Sequence, residues 1–276
     1  MTTASQTIDR PAPRAPRRPG ILGSVGRPVL DVLQILGEAV GLLFGTLTKI
    51  RPNERTWTRT MSQMVRIGTD TLPLTFLVSL FVGMVLVVQT AEQLSQYTQQ
   101  ILGSVVGRAM TKELGPVIMA FLLAGRAGSA IAAEIGSMNV YDEINALKTM
   151  DIDPLQFLTV PRIIAMTLAL PTLVFYADVV GIIGGAVVVA FDPAVKITVH
   201  QYFDNLTQWI NVKDVVVGLI KGFVFGLLIS VISCTFGLRT KGGAEGVATS
   251  TTAAVVWSFV LIIIFDYFIV RLAMLF

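Results

Sequence analysis

Long apolar segments separated by shorter polar ones fill the chain after residue 67. Five of them cover residues 72–90, 102–124, 163–191, 215–236 and 253–276. A helix needs about 20 apolar residues to cross a bilayer once. The pattern therefore predicts an all-α, polytopic membrane protein with five transmembrane helices. The third segment exceeds this length, so it must tilt, kink at Pro171 or project beyond the bilayer.

A different pattern precedes the first span. Within residues 28–51, apolar side chains recur at steps of three and four on one helical face: Leu33, Leu36, Val40, Leu43 and Leu47. Asp31 and Glu38 lie on the remaining surface. We expect an N-terminal amphipathic helix in the membrane interface. A short first span that packs through its glycines is the alternative.

Composition agrees with a membrane protein. The chain is 53% hydrophobic and 14% charged, with a mean hydropathy of +0.72, whereas about 25% of an average soluble domain is charged. One cysteine and one histidine argue against a disulfide and a metal site. The net charge of +3 is small for a nucleic-acid-binding protein.

The domain boundaries follow from the same patterns. Residues 1–20 are rich in arginine and proline, which predicts a disordered cytoplasmic tail. Residues 21–66 form the interfacial helix and a connector, and residues 67–276 form the five-helix domain with its loop at 126–162. Most of the 21 lysines and arginines lie in residues 1–66, 126–162 and 239–241. Because basic residues favour the cytoplasmic side, we expect a cytoplasmic amino terminus.

The loop at 126–162 is too polar to span, yet it carries a helical apolar stripe. The stripe consists of Ile131, Ile135, Met138, Ile144 and Leu147, and the acidic residues around it are Glu134, Asp142, Glu143, Asp151 and Asp153. We expect an amphipathic cytoplasmic helix whose exposed stripe docks a cytoplasmic partner. A solvated surface loop is the alternative.

Charged residues within the spans are functional candidates, because a charge in the membrane is costly unless it is paired or hydrated. Lys112 is a candidate for contact with a lipid phosphate, and Glu113 could hold Lys112 in place or change protonation. In the alternative, these two neighbours point in different directions and bind separate partners. Lys221 either meets a headgroup or extends to the interface.

Two aspartates, Asp178 and Asp266, lie inside apolar segments, and we expect both to be structural. Asp266 could pair with Lys221 across two helices. The sharper alternative is a proton-driven mechanism. Small residues four positions apart indicate close helix packing within the chain, with a dimer interface as the alternative: Ser79/Gly83, Gly103/Gly107, Gly181/Gly185 and Gly222/Gly226.

Several motifs in the correct order resemble the MlaE/YrbE permease family. They occupy residues 112–117 (KELGPV), 124–138 (AGRAGSAIAAEIGSM), 142–147 (DEINAL), 153–154, 161–162, 242–247 (GGAEGV), 251–256 (TTAAVV) and Asp266. The resemblance extends from about residue 30 to the end of the chain. It implies a transmembrane subunit of an ABC transporter that moves lipids between a bacterial inner membrane and the outer envelope.

The resemblance also implies partners and site residues. Two permease copies form the membrane core, two cytoplasmic ATPases drive it, and a ring of MCE-domain proteins sits on the outer side. The family's ATPase-coupling helix matches Glu134, Ile135, Met138, Asp142, Glu143, Ile144 and Leu147. In the family, the end of the first span borders an outward-facing lipid cavity, and we assign Leu80, Met84, Val87 and Val88 to its apolar wall. The alternative is that these four residues face bulk lipid.

The chain contains no G-x-x-x-x-G-K-[ST] phosphate-binding loop. We therefore expect no catalytic residue and no cofactor on this chain, with ATP bound and hydrolysed by a partner ATPase. The alternative function is a proton-coupled secondary transporter that uses Asp178, Asp266 and Glu113. The sequence shows no internal repeat that would support it.

Overall fold

The computed structural model describes residues 21–49, 54–94 and 99–275, and every regular element within them is a helix. The predicted tail at residues 1–20 lies outside this part of the chain. The α-helices are α1 (Ile21–Thr48), α2 (Glu54–Thr69), α3 (Leu72–Leu94), α4 (Leu102–Ala109), α5 (Gly115–Leu123), α6 (Ser129–Val140), α7 (Glu143–Thr149), α8 (Val160–Phe191), α9 (Val199–Trp209), α10 (Val212–Arg239) and α11 (Gly243–Ala273).

The chain divides into two units after Glu38. The described residues of the first unit belong to α1, where Gln34 Nε2 donates a hydrogen bond to Glu38 Oε1 at 2.8 Å, one turn away. The second unit, residues 39–276, contains the rest of α1 and all of α2–α11.

Six helical stretches in the described part of the chain are long and apolar enough to cross a membrane. Five correspond to the predicted spans: Leu72–Leu94, Gln99–Val140, Leu155–Phe191, Val212–Arg239 and Gly243–Ala273. The sixth, Leu30–Thr48, has a mean hydropathy of 1.5, the lowest of the six. The all-α polytopic fold is therefore confirmed. The interfacial placement of α1 stays a prediction, because this stretch also has the length of a span.

The second span continues much further than the sequence predicts. Gln99–Val140 is helical over 42 residues, which is about 63 Å at 1.5 Å per residue and roughly twice the hydrocarbon thickness. Two π-helical turns, Met110–Leu114 and Ala124–Gly128, interrupt the α-helical pattern. The prediction of a separate loop from residue 126 is wrong, because residues 126–140 continue this helix.

The apolar stripe of the predicted docking helix is not exposed. Ile131, Ile135, Ile144 and Leu147 are buried. α6 packs against α10 and α11, and the close approach of Gly237 to Ile135 leaves no room for a Cβ on the glycine. The expectation of an exposed stripe is therefore wrong, because helices of the same chain cover it.

A polar contact also joins the ends of α6 and α10. Asn139 Nδ2 donates hydrogen bonds to the carbonyl oxygens of Leu238 at 3.1 Å and Thr240 at 2.8 Å. These bonds satisfy carbonyl groups that have no partner within α10, since the last turn of a helix leaves such groups free. The two helices are consequently fixed to each other at the end that also carries α7.

Small residues allow α3 and α8 to approach closely. A Cβ added to Gly83 would lie 1.8 Å from the carbonyl oxygen of Gly181, and one added to Gly184 would lie 2.4 Å from that of Leu80. Gly103 and Gly226 make comparable approaches to Tyr202 and Met166. The prediction that the small-residue pairs pack within the chain is confirmed at these positions.

Gly83→Ala tests this packing. The added methyl group meets a backbone oxygen that cannot turn away, so we expect a destabilisation of about 1–3 kcal/mol. Gly125→Ala is the matched control, because a Cβ there meets nothing within 4 Å. Thermal unfolding in detergent measures both. Equal melting temperatures for the two variants would contradict the helix contact.

Asp153 gives the fold a pH-dependent contact, because it pairs with Lys49 just before the Leu155–Phe191 stretch. Burial raises the pKa of Asp153, whereas the Lys49 ammonium and the backbone N–H groups of Leu155 and Gln156 lower it. The lowering effects together outweigh that of burial, so the pKa of Asp153 lies below its usual 3.8. The folded state therefore holds this proton less tightly than the unfolded chain. The resulting stabilisation is present above pH 3.8 and is lost as the pH falls below it.

We expect Asp153→Asn to lower the stability of the protein near neutral pH by less than about 1 kcal/mol, because the pair is partly exposed. The difference between wild type and variant should shrink as the pH falls below 3.8. Melting temperatures of both proteins, measured from about pH 6 to about pH 3, check this. The lower limit is chosen because it lies below the ordinary pKa of an aspartate. A difference that stays constant over this range would contradict the assignment.

Candidate functional site

The first π-helical turn, Met110–Leu114, places two charged side chains beside α10. α10 comes close here because its Gly218 has no side chain: a Cβ would lie 2.3 Å from the carbonyl oxygen of Thr111. A π-helical turn carries an extra residue and redirects the side chains around it. Lys112 and Glu113 consequently face different neighbours.

Lys221 is the centre of the site. Its side chain is fully buried, and its Nζ lies 2.8 Å from Glu113 Oε2 and 2.8 Å from Asp266 Oδ1. The contact with Glu113 is a hydrogen bond, whereas the contact with Asp266 is an ion pair without hydrogen-bond geometry. The pairing of Asp266 with Lys221 that the sequence suggested is present. Extension of Lys221 to the interface is wrong, because two carboxylates hold its ammonium inside.

Asp214, which the sequence patterns did not single out, is a carboxylate that contacts two cations. Its Oδ1 lies 2.8 Å from Lys112 Nζ, and its Oδ2 lies 3.6 Å from Arg108 Nε. Arg108 Nε also donates a hydrogen bond to the carbonyl oxygen of Trp209 at 3.2 Å. The expectation that Glu113 holds Lys112 is therefore wrong, and the alternative of separate partners describes the structure.

Together, these two groups of ion pairs make up the charge network at this end of the spans. Three cations (Arg108, Lys112 and Lys221) face three carboxylates (Glu113, Asp214 and Asp266). The balance matters because desolvating a charge costs several kcal/mol, which only close opposite charges and hydrogen bonds repay. A signal for Asp214 exists in the sequence: it opens α10 at the same end of the spans as Arg108 and Lys112.

An apolar groove of about 530 Å³ lies beside this network. Its polar edge contains Lys112, Glu113, Lys213, Asp214 and Lys221. Its apolar walls come from α10 and the end of α11 and include Val216, Val217, Ile220, Ile269, Val270 and Leu272. Charged groups at one edge and aliphatic groups along the walls match a ligand with a polar head and an apolar body.

The predicted apolar wall on α3 does not line this groove. Val87 is fully buried among residues of α4, α8 and α9, including Leu102, Val106 and Tyr202. The carbonyl of Leu80 packs against Gly184. Met84 is partly buried and Val88 is exposed on the outer face of α3. The structure therefore separates these four residues from Lys112, Glu113 and Lys221.

Asp178 lies apart from the ion pairs and is buried on α8. Its Oδ1 has no hydrogen-bond partner and approaches Gly115 so closely that a Cβ there would lie 1.9 Å away. The carboxyl group therefore packs against the helix directly after the first π-helical turn. The structural role expected for Asp178 stays a prediction.

The residues predicted for ATPase coupling fall into two groups. Glu134 and Ile135 face the interior: Ile135 is buried, and Glu134 bridges Arg66 at 2.7 Å and Arg162 at 3.0 Å. Met138 is partly buried. On α7, Ile144 and Leu147 point inward, whereas Asp142 and Glu143 are exposed. α7 is thus the part of the predicted coupling segment that offers a free polar surface.

Comparisons with known proteins identify the family. The family model described as "Permease MlaE" matches residues 60–272. A probable ABC transporter permease protein of Rickettsia bellii is 34% identical over 91% of this chain and 97% of its own length. Protein TRIGALACTOSYLDIACYLGLYCEROL 1, chloroplastic, of Arabidopsis thaliana is 37% identical over 84% of this chain and 66% of its own length.

A third relative is the intermembrane phospholipid transport system permease protein MlaE of Haemophilus influenzae. It is 31% identical over 89% of this chain and 94% of its own length. The matched region contains the charge network, α7 and all of the groove lining except Ala273 and Met274. This multi-pass membrane protein belongs to the MlaE permease family.

Proposed function

We propose that this chain is the transmembrane permease subunit of an ABC transporter that moves phospholipid or a related lipid between the bacterial inner membrane and the outer envelope. The observation that carries the proposal is the charge-edged apolar groove within a chain of the MlaE permease family. The printed names of its relatives, including a phospholipid transport permease, support the substrate class.

The groove suits an amphiphile for two physical reasons. Its aliphatic walls can cover part of an acyl chain, because burying apolar surface releases about 25 cal/mol per Å². Its edge offers ammonium groups to a phosphate: the Lys112 side chain is 44% exposed even while it pairs with Asp214. Lys221 is fully enclosed by its two carboxylates, so we assign it to holding the edge together.

The driving force comes from a partner in this proposal. An ABC ATPase binds and hydrolyses ATP on the cytoplasmic side, and this chain itself is not catalytic. We assign the docking surface to α7, whose exposed face includes Asp142, Glu143 and Lys148. Glu134 and Ile135 lie on α6, behind the exposed face of α7. We assign them to supporting α7 and not to contact with the ATPase.

The remaining parts of the assembly follow the family. A second permease copy, identical or related, completes the membrane core, and an MCE-domain protein lies on the periplasmic side. The chain resides in the inner membrane with its amino terminus and α7 in the cytoplasm. The proton-coupled alternative is disfavoured because two of its three carboxylates, Glu113 and Asp266, are held in contacts with the same buried lysine, Lys221.

Filling the groove tests the lipid path. Ile220 lines the groove and is 50% exposed, whereas Phe223 on the same helix is 48% exposed and does not line it. We expect Ile220→Trp to reduce ATP-dependent lipid transfer several-fold, because the larger ring occupies the space of an acyl chain. Phe223→Trp should leave transfer unchanged. The measurement is movement of a fluorescent phospholipid by the complete complex in proteoliposomes. Equal transfer by both variants would overturn the assignment.

Charge reversal on α7 tests the coupling surface. We expect Glu143→Lys to weaken copurification of the ATPase and to lower transfer several-fold, while the melting temperature stays unchanged because the residue is exposed. The control is Asp204→Lys, on α9 at the opposite end of the spans, where the side chain is 52% exposed. Loss of the ATPase with the control variant, or none with Glu143→Lys, would contradict the proposal.

A further inference from the structure

A cavity of about 180 Å³ lies between α2 and the beginning of the helical stretch Leu155–Phe191. α2 contributes Arg59, Ser62 and Gln63 to its lining, and the helical stretch contributes Phe157 and Arg162. None of the described residues that line this cavity also lines the groove. We call it the α2–α8 cavity, and it is separate from the lipid site proposed above.

The charged groups that line the α2–α8 cavity are all positive. They are the guanidinium groups of Arg59 and Arg162, and none of the described lining residues is acidic. Arg162 pairs with Glu134 at 3.0 Å, but Glu134 lies outside the lining and also pairs with Arg66 at 2.7 Å. One carboxylate is thus shared by two arginines, so the charge of Arg162 is only partly compensated.

Two other carboxylates, adjacent in sequence to the elements that form the cavity, do not supply the missing negative charge. Asp70 lies 3.4 Å from Arg126, and Asp153 pairs with Lys49. Each of these carboxylates therefore already has a cation of its own. An excess of positive charge remains at the α2–α8 cavity, which favours an anion as its ligand.

The guanidinium group of Arg59 is held in place without a hydrogen-bond acceptor. Its central carbon lies 3.7 Å from the centre of the Phe157 ring, which is a cation–π contact. Phe157 belongs to a third π-helical turn, Leu155–Thr159. Arg59 makes no hydrogen bond or ion pair with any described residue. Its N–H donors are therefore positioned at the cavity and free for a ligand.

Other polar groups of the lining are also unoccupied. The side chains of Ser62 and Gln63 make no hydrogen bond with any described residue. Arg162 is 8% exposed, and its Nη1 has no hydrogen-bond partner. A charge buried in a protein interacts more strongly with an opposite charge than one in water does. The lining thus combines a positioned cation, a buried cation and two neutral polar groups.

We propose that the α2–α8 cavity binds a phosphate group. Arg59, Ser62 and Gln63 donate hydrogen bonds to it, and the buried charge of Arg162 favours the anion. Guanidinium groups bind phosphate oxygens with two parallel hydrogen bonds, which are stronger than those between neutral groups. The phosphate is that of a lipid headgroup or a free phosphate ion, since both present the same oxygen atoms to the cavity.

Protection of Arg59 from phenylglyoxal, a reagent that modifies accessible guanidinium groups, tests this site. The purified full-length chain is placed in nanodiscs of digalactosyldiacylglycerol, a lipid without phosphate. The probes are inorganic phosphate, compared with chloride at equal ionic strength, and phosphatidylglycerol mixed into the nanodisc. We expect at least one probe to slow the modification of Arg59 several-fold, as measured by peptide mass spectrometry. Arg66, on the same helix but outside the lining, should be modified at an unchanged rate.

The two probes distinguish the sources of the phosphate. Slowing by phosphatidylglycerol alone identifies a lipid headgroup, whereas slowing by inorganic phosphate identifies a site that takes a free phosphate ion. Equal modification of Arg59 with and without both probes would overturn the proposal, and so would equal slowing at Arg66.

Substitutions identify the group that binds, with whichever probe protects Arg59. That probe should raise the melting temperature of the wild-type chain, and Arg59→Gln should lose most of this rise. Arg59→Lys keeps the charge and should retain part of it. Lys241→Gln, an exposed cation outside the lining, is the matched control and should keep the full rise.

The comparison is made between variants, because phosphate salts stabilise proteins in general. Arg59 is exposed, so its substitution should leave the chain folded. A rise in Arg59→Gln equal to that in Lys241→Gln would overturn the proposal. Neither readout uses the ATPase or lipid transfer, so the result is independent of the proposed transport function.

Discussion

The ion network around Lys221 is the constraint on which the rest of the site depends. A fully buried ammonium must remain beside its carboxylates, and removal of one partner of such a pair costs about 3–5 kcal/mol. The three members come from separate parts of the chain: Glu113 from the first π-helical turn, Asp266 from α11, and Lys221 from α10. The network therefore fixes these helices in register, and the groove is the space left beside it.

The two π-helical turns of the long helix Gln99–Val140 each carry charged side chains that contact other parts of the chain. Met110–Leu114 carries Lys112 and Glu113, and Ala124–Gly128 carries Arg126. From each turn a charged side chain reaches a distant part of the chain: Glu113 reaches Lys221 on α10, and Arg126 reaches Asp70 and Thr71 between α2 and α3. The edge of the groove and the contacts of Arg126 are consequently built on the same continuous helix.

The five spans could be predicted because length and apolarity alone specify a membrane crossing. The pairing of Lys221 with Asp266 could also be predicted, because a buried charge in a span needs a partner of opposite charge. The environment of residues 126–140 could not be predicted from the sequence. An apolar stripe that docks a partner protein and one that packs on α10 and α11 have the same periodicity. Val87 shows the same limit: its apolarity suits lipid, yet α4, α8 and α9 enclose it.

Mechanical coupling between the ends follows from the continuity of Gln99–Val140. Asn139 ties the last turn of this helix to Leu238 and Thr240, so a displacement of α7 must move the ends of both α6 and α10. The continuous helix Gln99–Val140, of which α6 is the last part, carries Glu113 in its first half, and α10 carries Lys221 in its first half. Because the intervening backbone is hydrogen-bonded, bending concentrates at the π-helical turns, where that bonding changes register. An ATPase acting on α7 would therefore change the spacing at the edge of the groove without touching it.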